Sequence, residues 1–430
     1  MHLRCPCVVP WSNARPAQVD SMSDDQPPED PFGNDDDQPF HGVPFFGDLA
    51  KMFSGQGPVN WDLARQMAQM IATEGQAEAN VDPTVRMAVA DLVRVAEMRV
   101  EGATGLSTST SGHPVEMQPV RAGQWASQTL EDWRPLLERL AQGLSIDRPG
   151  DTAGNPSAAL MGGLFQMIGP MMLGMQSGMM VGHLARRSFG QYDLPLPRAR
   201  RGELLLLTDA LDGFATDWSL PLDEVRLWIC IHELTHHAVL GRPGVRDRIE
   251  ELVGEYVSSF DPDANALDDR LAGLGPELLG GAGDDPAAVQ KALQDAVGDP
   301  EVLLGAIQSD HQRALLPQLG AVISAIVGYV DWVLDEVGPG LISSYEALTE
   351  ALRRRRVETA SGDRFVERLL GLEMNQATYE RGEQFIAGVV ERSGAGALSR
   401  LWEAADLLPT PAEIEAPGLW LARIDLPADD

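Results

Sequence analysis

The chain has 430 residues, 44% hydrophobic and 23% charged, enough for one large folded unit or two to three smaller ones. Its formal net charge of −31 repels phosphate backbones and anionic lipid, which excludes nucleic acid as an expected partner. Three cysteines, Cys5, Cys7 and Cys230, make no disulfide framework, which fits a reducing compartment and gives a cytoplasmic expectation.

Residues 1–56 are rich in Asp, Pro, Gly and Gln and carry too little apolar surface to order themselves, so a disordered acidic leader is expected there. Residues 57–430 are then the folded domain, with a helical N-terminal part over 57–159 and a core over 160–425. WDLARQMAQMIATEG and VDPTVRMAVADLVRVAEMRVEG repeat apolar residues at three and four, the spacing of an amphipathic helix. Asp82 with Pro83 just inside marks a helix start. A further helix is predicted from Glu131 to about Leu144.

Leu160 to Arg187 is the one stretch in which we weigh a membrane span, with no charge from Met161 to Gly182. Gln166, Gln176, Pro170 and many glycines argue against spanning, and a buried, Met-rich helical pair is the expectation. GQYDLPLP (190–197) has two X-Pro steps and reads as extended. GELLLLTDA (202–210) is the best strand candidate. Helices are predicted over the stretch ending at Gly241, then over Val245–Phe260, Ala287–Val297, Glu301–Ile307, Leu315–Val337, Ile342–Arg355, Val366–Leu370 and Ala377–Arg392. The tail PTPAEIEAPGLWLARID is punctuated by proline and is expected to pack as an extended cap. The sum is a mainly α protein with a small β-sheet.

WICIHELTHHAVLG (228–241) carries the chemistry. Pro221 and Asp223 suit the start of its helix, and Gly241 with Pro243 its end. His232 and His236 are four apart, so both imidazoles project from one face one turn apart and can share a zinc ion. Glu233 is rotated off that line, placed to take a proton from water activated by the metal. The neighbours are apolar, so unpartnered histidines and a carboxylate there would be costly without a purpose. His237 is expected beside the site.

A catalytic zinc wants a third protein ligand, and two acids compete for that place. Asp331 is an acid inside the apolar helix GAVISAIVGYVDWVLDEVG (320–338), expensive there unless partnered, on a face shared with Ser324, Gly328 and Asp335 that looks onto the site or onto water. Glu255 lies on the helix after the motif, but beside Glu251, Arg248 and Ser258, which reads as a solvated side. Tyr329 is a candidate oxyanion donor. His311 reads as a surface histidine. The run Arg353–Arg356 reads as a solvated helix end paired to acids.

HELTHHAVL, GQYDLPLP, the Gly328, Tyr329 and Asp331 of GYVDWVLDEVG, GLEMNQATYERGEQFI and LWEAADLLPTPAEIEAPGLWLARI together resemble a bacterial family of zincin-like metallopeptidases, over roughly Leu160 to Ile424. Its members are often labelled hydrolases or coenzyme F420 biosynthesis-associated proteins of unknown function. The resemblance implies a zincin-like fold with an active-site helix, Zn²⁺ held by His232 and His236, Glu233 as base, and a peptide or protein substrate. The resemblance also implies an acid just before the glycine of the later helix; here that position is Val327, which leaves two expectations, Asp331, one turn on and on a similar face, as its replacement, or a weakened site. No flavin- or F420-binding fingerprint is visible. The competing expectation is a catalytically silent metal-binding scaffold or interaction protein.

Overall fold

The computed structural model describes residues 57–109, 112, 114–144, 156–199, 202–260, 308–357 and 361–425. The expected acidic leader and the helices expected at Ala287–Val297 and Glu301–Ile307 lie outside the described residues. The architecture is mainly α with a two-stranded sheet, as the sequence leads one to expect.

Helix α1 (Trp61–Thr73) is capped by the Asn60 side chain, which accepts from Leu63 N at 3.0 Å. Helix α2 (Pro83–Thr104) starts on Asp82 with Pro83 at its first position, as predicted. Strand β1 (Glu116–Val120) follows, then α3 (Ala122–Gly143). Helix α3 begins nine residues before its predicted start and carries Pro135 within it.

The Met-rich segment is one continuous helix, α4 (Pro156–Arg187), and not a pair. Its glycines explain its packing. Gly174, Gly178 and Gly182 recur every fourth residue against α1, where Ala64, Ala68 and Ala72 are buried. A Cβ at Gly178 would fall 2.3 Å from Ala64 O, so this crossing tolerates no side chain. Among the described residues, the helix long and apolar enough to cross a membrane spans Asp310–Gly340, and 67% of its apolar stretch is buried inside the protein.

Strand β2 (Glu203–Leu207) pairs parallel with β1, in register from Glu116 with Glu203 to Val120 with Leu207. It runs directly into α5 (Thr208–Asp217), a helix absent from the sequence reading. The motif helix α6 (Leu222–Leu240) starts at Pro221 and stops at Gly241, as those residues predict. Helix α7 (Pro243–Ser258) follows.

Helix α8 (Asp310–Val337) runs through the core, its first turn closed by a capping box of Ser309 and Gln312. It contacts α6, α7 and α11 (Gln376–Ser393). Ser324 on α8 is fully buried, and Gly328 borders a cavity together with Asp331 and Asp335. Ser324 and Gly328 both face Gly382 of α11, where a Cβ would lie 2.1 Å from Ser324 O. Helices α9 (Tyr345–Val357) and α10 (Ser361–Leu369) connect α8 to α11. After 3₁₀ turns at Ala395–Trp402 and Ala405–Leu407, the tail expected to be extended (409–425) is instead helical: α12 (Pro411–Glu415) and α13 (Pro417–Ile424). Pro411 and Pro417 stand at first-turn positions, where a missing N–H costs nothing, so proline starts these helices.

Candidate metal centre

Helix α6 is buried nearly all round, with His232 the one position from Val225 to Leu240 that is only partly so. The His232 and His236 rings stand side by side, centroids 4.4 Å apart. Trp228 stacks on His232 at 5.2 Å and Tyr192 on His236 at 5.8 Å, so both rings are held in place.

The hydrogen bonds set the tautomers. His236 Nδ1 donates to His232 O at 3.1 Å, which leaves Nε2 with its lone pair, buried and without a hydrogen-bond partner. Burial, then the neighbouring His232, holds His236 well below the usual imidazole range, so it is neutral. His232 Nδ1 lies 3.1 Å from Glu233 Oε1 and donates to it, which turns its Nε2 away from the carboxylate. A carboxylate on the far nitrogen of a histidine is the usual support for a metal-ligating ring.

Glu233 is fully buried. Its Oε2 accepts from Gln191 N at 2.7 Å and from Tyr192 N at 3.1 Å. The partners come from the extended GQYDLPLP segment, which is fixed in turn. Trp125 Nε1 donates to Gly190 O at 2.8 Å. Arg198, buried between Trp125 and Trp133, donates through Nε to Gln191 O at 3.0 Å. The acid of the motif thus ties α6 to this loop. Sequence reasoning saw both segments but not the bond between them.

His237 stands beside the site, as expected. Its Nδ1 shares a 3.0 Å hydrogen bond with the Tyr192 hydroxyl, and burial, followed by the charge of Arg246, brings its pKa down to about 4. The folded value lies below the unfolded value near 6.5, so this stabilisation is complete above pH 6.5 and is lost as pH falls toward 4. Between pH 7 and pH 5 the native protein should lose about 2 kcal/mol more than a His237→Gln variant. Urea unfolding of both proteins at the two pH values measures this, and equal losses would refute it.

A small niche of about 10 Å³ adjoins the two rings, lined by Tyr192, Asp193, Val327, Asp331, Arg356 and Tyr379 among others. That is room for a single water or ion. Val327 and Asp331 both reach it, the position at which relatives are expected to place an acid and its expected replacement. Asp331, however, is committed: its two oxygens accept from Arg356 Nη1 and Nη2, each at 2.8 Å. Glu255 is not brought to the niche; it pairs at the surface with His311 at 2.7 Å. Tyr329 is buried against Trp332 and Trp402 and does not line the niche. Glu233 lies behind the rings rather than on the lining.

The niche therefore fits zinc in donor type, tautomer and room at His232 and His236. Among the described residues no group of three His, Cys, Asp or Glu is assembled for a metal. The sequence reading missed Arg356 and Tyr379. Arg353 and Arg354 do pair with Glu350 at the surface. Arg355 instead covers the Phe189 ring at 3.6 Å, and Arg356 reaches Asp331 while standing 4.1 Å over the Tyr379 ring. The signal was available: Leu348 and Leu352 are buried, and Arg356 continues their four-residue spacing on the same face of α9.

A mainly helical protein with paired imidazoles on a buried H-E-x-x-H helix has the design of a zincin. Residues 59–421 match the model of the zincin-like metallopeptidase family, and the chain belongs to it. It is also similar in fold to a crystal structure from Chloroflexus aurantiacus, described as a candidate hydrolase with a novel fold, at 24% identity and a TM-score of 0.59, over 86% of this chain and 100% of that one. No curated protein compared with the chain is similar in sequence.

Proposed function

We infer that the protein is a zinc-dependent hydrolase of peptide bonds, acting in the cytoplasm on a peptide or protein substrate. The observation that carries this reading is the buried, partnerless Nε2 of His236 beside His232, at a niche with room for one ion. His232 and His236 would hold the metal, and Asp331 would join them once released from Arg356. A zinc ion there supplies Lewis acidity, which acidifies water and polarises a carbonyl.

The chain's own residues do the rest. Glu233 fixes the tautomer of His232 by accepting from its Nδ1, and would take a proton from water at the niche when Oε1 exchanges that bond for the water. Tyr379 has its hydroxyl pushed up to about 12, by burial first and against the pull of Arg356, so it remains a hydrogen-bond donor at neutral pH. Burial works against the charge of Arg356, but Asp331 more than restores it, so the guanidinium stays protonated. Arg356 and Tyr379, which border the niche where Tyr329 does not, would orient a carbonyl and meet its developing charge.

Zinc content by mass, followed by hydrolysis of a mixed peptide pool, tests the reading. The wild type should bind one equivalent and cleave, and His236→Gln should lose both. A second reading, a family member that binds metal but serves as a scaffold, is favoured by the Asp331–Arg356 pair, which withholds the third ligand. Stoichiometric zinc with no cleavage in any pool would select that reading.

A further inference from the structure

A larger cavity, of about 440 Å³, borders the niche. Asp331, Arg356 and Tyr379 line both, so this ion pair and aromatic ring form the wall between them. The volume is within the range of sites that hold small ligands or substrate side chains. Nothing in the motif chemistry uses this space.

Resting on the hydrolase reading of the niche, we propose that this cavity is the specificity pocket and that it takes a cationic side chain, arginine or lysine, of the peptide substrate. The charge balance of the lining comes first. Asp331, Asp335, Glu380 and Glu383 face Arg353 and Arg356, four carboxylates against two guanidiniums. Arg356 neutralises Asp331. The remaining acids have no ion pair of their own among the described residues: the Tyr345 hydroxyl donates to Asp335 at 2.6 Å, although Asp335 also feels the charge of Arg356, Gln376 Nε2 donates to Glu380 at 2.6 Å, and Glu383 is exposed. Arg353, the other cation, leans out toward Glu350. The lining thus holds uncompensated negative charge and repels a substrate carboxylate.

The aromatic lining comes second. Trp228, Trp332, Tyr345 and Tyr379 all border the cavity, and such rings attract cations over their faces. The wall already shows how: Arg356 is held between the Asp331 carboxylate and the Tyr379 ring at 4.1 Å. A substrate guanidinium or ammonium meets the same two kinds of partner further out. Third, the unpartnered, buried Nε2 of His236 lies in the adjoining niche, and Trp228, which stacks on His232, also lines the cavity. A side chain anchored here brings its own backbone to the His pair. The charge of the whole chain favours the approach of a basic peptide as well.

The test is a binding titration of the full-length, zinc-loaded protein, read by tryptophan fluorescence or calorimetry. The probes are Nα-acetyl-arginine amide, its neutral isostere Nα-acetyl-citrulline amide, and Nα-acetyl-glutamate amide. The arginine compound should bind about ten-fold tighter than the citrulline compound. The double variant Asp335→Asn, Glu383→Gln should remove most of that preference while zinc content is unchanged. Both positions are exposed, so folding is not at stake. Equal affinity for arginine and citrulline, tighter binding of the glutamate compound, or a preference that survives the double variant would each overturn the proposal. If the arginine preference holds but no peptide is cleaved, the pocket stands and the hydrolase reading falls. If peptides are cleaved without regard to basic residues, the hydrolase reading stands and the pocket falls.

Discussion

Replacing Glu233 by Gln should lower kcat/KM on any cleaved peptide by about 10³-fold, within the range for loss of a positioned proton acceptor. It should also weaken zinc binding, for a reason particular to this site. Oε2 accepts two main-chain N–H groups from the Gly190–Tyr192 loop, so the carbonyl oxygen of glutamine settles there and keeps the loop. The amide –NH₂ then takes the place of Oε1 and faces His232 Nδ1. A donor now meets a donor, and His232 must move its proton to Nε2, the nitrogen needed for the metal. Loss of such a supporting contact costs roughly 10- to 100-fold in metal affinity. Chelator competition measures this part and peptide cleavage the other. Undiminished turnover in Glu233→Gln would remove Glu233 as the base; undiminished zinc affinity would remove the tautomer argument alone.

The sequence was most informative where local rules decide. Pro221 and Gly241 bracket α6 as its N-cap and C-cap residues, and the four-residue histidine spacing follows from helical pitch alone. Asp82–Pro83 marked the start of α2 in the same way. Elements set by their neighbours were illegible. Strand β1, EMQPV, is five residues with an internal proline, and its identity depends on β2 lying alongside. The prolines of the tail read as breakers, although at first-turn positions they start helices. At the site, no spacing rule links Asp331 to Arg356, 25 residues apart on different helices, so an acid expected to seek a metal was found answered by a guanidinium. The small face of Ser324 and Gly328 belonged to the crossing with Gly382, a contact visible only once α11 is docked.

Gly190→Ala should be among the most disruptive single substitutions outside the motif, with a stability loss of about 3 kcal/mol. The cause is room, not backbone conformation. A Cβ at residue 190 would lie 2.3 Å from Glu233 Cδ and 2.5 Å from Oε2. A flexible surface carboxylate would swing aside, but this one is fully buried and tied to two main-chain N–H groups. The loop cannot retreat either, because Trp125 holds Gly190 O and Arg198 holds Gln191 O. Relief therefore requires breaking the Glu233 contacts, which leaves a buried charge without donors, or unpacking the tryptophan pair around Arg198. Chemical denaturation of the wild type, Gly190→Ala, Glu233→Ala and the double variant closes a thermodynamic cycle. The double variant should cost clearly less than the two single losses added together, since the clash needs both partners. A Gly190→Ala loss within about 0.5 kcal/mol, the range of ordinary surface substitutions, would show that the Glu233 carboxylate moves freely and that the loop is not what holds the histidine pair in place.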